Sequence, residues 1–337
     1  MSRQPSTDLY FRNAMARWIG KPWYLGGPHG APIRRVGANS FIAGDWFILI
    51  RRDTPHRMRD ALAWGGRLAY VIDDDVAGGI DCPALPPAYR ARLAAFERDF
   101  QRDLLARADV VLAASDALLQ ALAALPGLGP RLAPRLRRID PVWRQPLADT
   151  AHFAALQHGA PLRIVHLGTG SHYGAQATIA PLVADTLDRH PHTTFTYFAP
   201  RRVDDRLEHH PRARRLEPMT WREYQRWMAR QRFHLALYPL AQTAFDRARS
   251  ASKITEHAIL GAVGLYPQSY APAHAIEESA LLAPDDPAQW ADSIDTAIAA
   301  RASLRPLAEN AAQTLTCINL CAVQQSLWTN LLSLDVR

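Results

Sequence analysis

The chain has 337 residues, too many for one comfortable hydrophobic core and about right for two domains of ordinary size. Hydrophobic residues make up 48% and charged residues 21%, which excludes a disordered chain, and no apolar run reaches the roughly 20 residues of a membrane helix. The net charge of +7 suits an anionic ligand or an anionic membrane surface, but no arginine run is interleaved with aromatics, so no nucleic-acid partner is expected.

The opening MSRQPSTDLYFRNAMARW lacks the apolar centre of a signal peptide, which places the chain in the cytoplasm. Trp18, Trp23 and Tyr24 read as core residues, with lining of a cleft as the other reading. Apolar runs of strand length then alternate with helical patterns. DWFILI (45–50), RLAYVI (67–72) and DVVLAA (109–114) read as strands, and 56–64 and 86–107 carry helical periodicity. The proline- and arginine-rich texture over 126–160 reads as the end of one domain and a linker. The alternation restarts with strands at 162–168, 193–199, 233–239 and 263–267, and with helices over 175–189, 220–231 and 250–261. From 287 the tail is helical, with Trp290 and Trp328 as anchors, and AVQQSLWTNLLSL is amphipathic enough to pack back onto the first domain. The pattern predicts an α/β protein with two Rossmann-like, doubly wound domains facing across a cleft. The predicted bounds are 1–145 for the first domain, 146–310 for the second, and 311–337 for a returning helix.

Three cysteines, Cys82, Cys317 and Cys321, are too few for a disulfide framework. Cys317 and Cys321 lie one helical turn apart without a histidine partner nearby, so packing rather than a metal site is expected.

Three stretches carry candidate chemistry. LGTGSHYG (167–174) follows a predicted strand and precedes a helix, so Gly168, Thr169, Gly170 and Ser171 form either a phosphate-binding turn or a plain tight turn. VIDDDVAGG (71–79) sets Asp73, Asp74 and Asp75 at a strand end, where they contact an acceptor, cap the next helix, or hold a metal. AQTAFDRARS (241–250) leads into SASKITEHAILG (250–261), bringing Arg247, Arg249, Ser250, Ser252 and Lys253 close to a helix start. A solvated basic loop is the plain alternative. Ser252 is the expected N-cap, and Lys253 faces the positive end of the helix dipole, a cost a bound anion reverses. Glu256, one turn on, is placed to accept from paired ribose hydroxyls. Among the histidines near predicted strand ends, His29, His166 and His172, the last is best placed for catalysis, with a surface hydrogen bond as its other reading.

The segment YPLAQTAFDRARSASKITEHAILGAVGLYP (238–267) resembles the donor site of retaining GT-B glycosyltransferases, the large glycosyltransferase family 4 and its distant bacterial relatives. There, S-x-x-K-x-x-E-x-x-x-x-G joins a strand and loop to another strand, and Ser250, Lys253, Glu256 and Gly261 stand in that register. The resemblance implies the GT-B fold, diphosphate binding by Arg247 and Lys253 assisted by Ser250 and Ser252, and ribose binding by Glu256. It also implies transfer with retention, a nucleotide-sugar donor, a glycan or lipid-linked acceptor, and no metal or other cofactor. Many members carry a second glutamate eight residues before the one matching Glu256; here that position is Ala248, and Asp246 is out of register. Surface polysaccharide assembly, with peripheral visits to an anionic inner membrane, follows by analogy with the family. The alternatives are a nucleotide-sugar epimerase on the same fold, a non-catalytic scaffold, or a transferase using a cytidine-monophosphate-activated acidic sugar.

Overall fold

The computed structural model describes residues 4–20, 32–168 and 170–334. Trp23, Tyr24, His29 and Thr169 lie outside the described residues. Two six-stranded sheets form the molecule.

The first sheet comprises β1 (Arg34–Arg35), β2 (Ser40–Ala43), β3 (Trp46–Ile50), β4 (Arg67–Ile72), β5 (Val110–Ala113) and β6 (Leu136–Arg138), side by side in chain order. Pairings β1–β2 and β2–β3 are antiparallel; β3 to β6 run parallel. All five residues of β3 are buried, as a strand covered on both faces requires. Because β3 to β6 succeed one another in a single direction, right-handed crossovers lay their helices on one face. There Phe47, Leu49 and Tyr70 pack with Leu104, Leu105 and Leu118.

The opposite face of that sheet is covered by the two ends of the chain. Leu9, Tyr10 and Phe11 of the helical segment 5–15 pack with Phe41, Ile48, Val71 and Leu112, together with Trp328 and Leu332 of the helix Leu320–Leu332. Trp328 Nε1 donates to the Tyr10 carbonyl at 2.9 Å, and Gln324 Nε2 donates to the Leu9 carbonyl at 3.0 Å. The preceding helix, Leu304–Ile318, stays with the second sheet through Leu304 and Ala308. The turn between them falls at Asn319, whose left-handed φ of 47° an asparagine adopts readily.

The second sheet contains β7 (Leu162–His166), β8 (Thr193–Phe198), β9 (Ala213–Leu216), β10 (Leu235–Leu237), β11 (Val263–Pro267) and β12 (Leu281–Ala283). Its order is β12-β11-β10-β7-β8-β9, parallel throughout. The chain leaves β7 in one direction and returns to β10 on the other side, so β7 and β10 flank a topological switch point, where open α/β sheets bind ligands. The second sheet is thus wound in both directions; the first is wound in one, with the chain ends completing it.

The stretch 126–160 holds β6 and short helical turns, and the chain passes between the sheets after Arg138. The acidic turn after β4 leads into a short helix, Val76–Ile80. The cysteine expectation needs correction: Cys317 does not pack in a core but is exposed, while Cys321 is half-buried. Trp18 and Trp290 are buried, and Trp290 Nε1 donates to the Pro284 carbonyl at 2.8 Å.

Candidate active site

The helix Ser252–Ile259 begins beside the switch point, and its sequence explains how it is set. Ile254, Ala258 and Ile259 bury its apolar side, and Gly261, at φ +68°, ends it. A Cβ at Gly261 would meet His152 Cε1 at 2.7 Å, so both backbone and packing require glycine there. The N-cap is Ala251, not Ser252, and no side chain caps the helix. Ser252 is its first residue, its N–H directed to Ser250 Oγ at 3.4 Å. The N-cap Ala251 thus supplies no side-chain cap, the first turn holds no acidic residue, and Lys253 stands at the positive end of the dipole.

Lys253 is ion-paired with Glu256, three residues on, and Tyr224 Oη donates to the same carboxylate at 3.2 Å. Both charged side chains are largely buried, at 14% and 8% exposure, so the pair lies where a ligand would be desolvated too. Burial, then the Glu256 charge, pushes the Tyr224 phenol well above its ordinary range.

Two cavities meet at this helix start. One, of about 720 Å³, is mostly apolar and runs past Leu167, Phe198, Met219, Trp221 and Tyr224 to Glu256. The other, of about 390 Å³, is polar and runs past Ser171, His172, Arg249 and Ser250 to Arg51, Asp73 and Asp74 of the first domain. Ser252 and Lys253 line both, as do Pro5 and Leu9 from the N-terminal segment. Trp221 Nε1 donates to Asp8 Oδ2 at 2.8 Å, joining that segment to the second domain.

The loop before the helix is wedged against the first domain. Phe245 packs with Val76, Leu85 and Leu93, and Ser115 Oγ donates to the Ala248 carbonyl at 2.7 Å. A Cβ on Gly79 would meet the Phe245 ring at 2.9 Å, so glycine allows this approach. Arg247 does not reach the cavity: its side chain is exposed on the short helix Ala244–Arg247. Arg249 reaches it instead, bonded to Asp246 at 3.3 Å, to Asp74 at 3.4 Å and to the Ser171 carbonyl at 3.4 Å. Burial alone would lower its pKa, but Tyr238, Asp74 and Asp246 outweigh burial and keep it charged. Ala248, where many family members carry a glutamate, is buried at 3% exposure.

The three aspartates divide. Asp75 caps Val76–Ile80, accepting from Gly78 N at 2.9 Å, and lies outside the polar cavity's lining. Asp73 accepts from Ser6 Oγ and pairs with Arg51 at 3.5 Å; Asp74 pairs with Arg51 and Arg249. Burial pushes Asp73 up, opposed by Arg51. Among the described residues no group of three or more His, Cys, Asp or Glu is placed to hold a metal ion.

On the other side, β7 ends at His166 and the turn through Gly168 and Gly170 leads to Ser171 and His172. A Cβ at Gly168 would meet His166 Nε2 at 2.3 Å, so the turn needs glycine there. His172 is 7% exposed, lines the polar cavity, and has a buried Nδ1 without a hydrogen-bond partner. Burial first, then Arg249 and Lys253, holds its pKa well below the ordinary value, so the ring is neutral at pH 7. The residues from the N-terminal segment had no signal in the motif pattern, because they reach the site from the far end of the chain.

The two facing α/β domains, the switch-point cleft and the returning terminal helix define the GT-B fold of glycosyltransferases. No known family profile and no curated protein sequence matches the chain. Solved structures do. The chain is similar to Anabaena Alr3699/HepE in complex with UDP-glucose, with TM-score 0.59 and 16% identity over 85% of this chain and 79% of that one. It is also similar to an α,α-trehalose-phosphate synthase (UDP-forming) from Burkholderia vietnamiensis, with TM-score 0.54 and 13% identity over 85% and 70% of the two chains. Trehalose-6-phosphate synthase of E. coli bound to UDP-2-fluoro glucose gives TM-score 0.54 and 13% identity over 86% and 73%. At these identities the likeness is one of fold.

Proposed function

We propose that the chain is a retaining glycosyltransferase that moves a sugar from a uridine-diphosphate donor to a glycan or lipid-linked acceptor, as in surface polysaccharide assembly. The observation that carries this proposal is the Lys253–Glu256 pair at a helix N-terminus with no acidic residue in its first turn, set where an apolar and a polar cavity meet. A nucleoside diphosphate has the matching form. Its base lies against Trp221 and Met219 and its ribose hydroxyls donate to Glu256. Its diphosphate meets Lys253, Ser250, Ser252 and the helix start. Binding then exchanges the internal pair for two pairs with ligand, Glu256 to ribose and Lys253 to phosphate. UDP as the nucleotide is supported by the ligands of the HepE and E. coli structures.

When the bond from the anomeric carbon to the diphosphate breaks, negative charge grows on the leaving group. Lys253, Arg249 and the aligned N–H groups stabilise it more in the transition state than in the ground state. Arg249 takes here the part that the resemblance assigns to Arg247. His172, neutral and with a free ring nitrogen, supplies a hydrogen bond to the transferring sugar or its phosphate. Gly168, Thr169, Gly170 and Ser171 form the facing wall, and Asp73 and Asp74 face the acceptor. No metal is assigned a part. The basic net charge favours contact with an anionic membrane; no described helix is long and apolar enough to cross one.

Calorimetry with UDP, UDP-glucose and other nucleotide sugars tests the proposal, because a ligand of the native state must bind and raise its stability. Micromolar binding of one nucleotide that Lys253→Ala weakens supports it; absence of binding by every nucleotide overturns it.

A further inference from the structure

On the first-domain side, the polar cavity continues into a narrow slot where Arg51, Arg52, Asp74, Tyr89 and Arg92 share the lining with apolar side chains such as Phe96. Its volume of about 20 Å³ is room for a water or a single oxygen atom, not for a sugar ring. Arg51, Asp74, Tyr89 and Arg92 also line the 390 Å³ cavity, so the slot opens directly into it.

Charge in the slot is unbalanced. Arg51 is spoken for by Asp73 and Asp74. Arg52 and Arg92 have no side-chain hydrogen bond and no ion pair among the described residues, and Arg52 Nε is buried without any partner. Burial, then the neighbouring Arg51 charge, holds Arg52 below the ordinary arginine range; Arg92 adds to that repulsion, and Tyr89 and Asp74 oppose it.

The loop that carries Arg51 and Arg52 is tied by hydrogen bonds. Arg51 adopts a left-handed φ of 58°, a conformation a non-glycine residue keeps only when its surroundings impose it. Those surroundings are Asp53, which accepts from Asn39 N at 2.7 Å and Ser40 Oγ at 2.8 Å, and Asn39 Nδ2, which donates to the Arg52 carbonyl at 2.8 Å. Arg92 and Tyr89 stand one turn apart on the helix Pro87–Phe96, with the guanidinium 5.3 Å from the ring centre.

We propose that the slot between Arg52 and Arg92 is an oxyanion subsite that selects acceptors bearing a phosphate or carboxylate group. The ring of such an acceptor occupies the 390 Å³ cavity and one charged oxygen enters the slot. Assigning the ligand as an acceptor rests on the donor reading above, since Lys253 and Ser250 hold the donor on the opposite wall. The oxyanion site itself does not depend on that reading.

The test is calorimetry of the full chain with glucose 6-phosphate, glucuronate and glucose, with and without UDP. The expected result is that at least one charged sugar binds more tightly than glucose by about tenfold or more, and that Arg52→Gln/Arg92→Gln removes this preference. Whether phosphate or carboxylate is preferred names the source of the charge. Affinity for UDP should stay within about twofold in the variant, which also shows that it is folded. Arg92→Gln alone, at an exposed position, is the second variant and should lose part of the preference. Charged sugars binding no better than glucose, or a preference that survives both substitutions, overturns the proposal. If UDP fails to bind while the arginine-dependent preference holds, the donor reading falls and the subsite stands.

Discussion

The cavity beside Trp221 and the cavity beside Asp74 share Ser252 and Lys253, yet their walls differ in kind. The first offers Leu167, Phe198, Met219 and Trp221, surfaces that attract a flat, partly apolar group by burial. The second offers Arg51, Arg249, Asp73, Asp74 and His172, which hold polar groups by direction and charge. A ligand with a ring system at one end, charge in the middle and hydroxyls beyond is read by both walls at once, and Lys253 sits where the charge falls. Affinity and chemistry should therefore separate: losses in the apolar cavity fall on nucleotide binding, losses in the polar cavity on transfer.

The residue shared by both cavities gives the largest expected effect. Lys253→Ala should reduce transfer by about 100-fold or more, since it removes a charge that stabilises the leaving diphosphate. Circular dichroism and a urea midpoint must accompany the assay, because the substitution leaves the buried Glu256 without its ion-pair partner and costs stability. Near-normal turnover in this variant would break the comparison at its centre.

Acidification gives the next effect, and it reads the buried histidines of the second domain. His166 and His234 are held down to about 4, chiefly by burial, and His172 and His257 are also lowered. These folded values lie below the unfolded value of about 6.5, so between the two limits the unfolded chain binds more protons and acid favours unfolding. The stability is whole above about pH 7 and is lost as pH falls through 6.5 towards 4, by ~2 kcal/mol at pH 5 for each of His166 and His234. Asp73 and Asp75, raised by burial, act in the opposite sense but are fewer. Urea midpoints at pH 7.5 and pH 5 measure the balance; an equal or higher midpoint at pH 5 contradicts it.

Trp221→Ala sharpens the contrast. It removes a wall of the apolar cavity and the hydrogen bond to Asp8, and should weaken UDP binding by about tenfold. The charged-sugar preference of the Arg52 slot should not move. A loss that falls equally on both ligands would show that the cavities act as one.

The second domain was more legible than the first, for reasons visible in particular residues. Ser250, Lys253, Glu256 and Gly261 lie within one loop and helix, so their spacing survives in the sequence, and the structure gathers the first three at the cleft while Gly261 ends the helix. β6, Leu136–Arg138, was hidden because a short edge strand of basic residues shows no apolar run. Pro5, Ser6, Leu9 and Tyr10 line the polar cavity by tertiary packing beneath Trp328, which no local pattern announces. Arg247 and Arg249 look alike in the sequence, and only the short helix Ala244–Arg247 decides that the second turns inward. The acidic run after β4 had three readings, and the structure assigns capping to Asp75 while turning Asp73 and Asp74 to the cleft.

The smallest expected effect concerns two hydroxyls at helix starts, Thr220 and Ser252. Thr220 is an N-cap: its hydroxyl accepts from Glu223 N at 3.4 Å, and the Glu223 carboxylate accepts from Thr220 N at 3.0 Å. Thr220→Ala should therefore cost about 1 kcal/mol of stability. Ser252 is one place inside its helix, with Ala251 at the cap, so Ser252→Ala should cost at most a few tenths of a kcal/mol. Its effect should appear instead in nucleotide affinity, because its hydroxyl lines both cavities beside Lys253. Paired urea titrations and calorimetry of the two variants decide it: a Ser252→Ala chain as destabilised as Thr220→Ala, with nucleotide affinity intact, would make Ser252 a structural residue and leave Lys253 as the first donor contact of the helix.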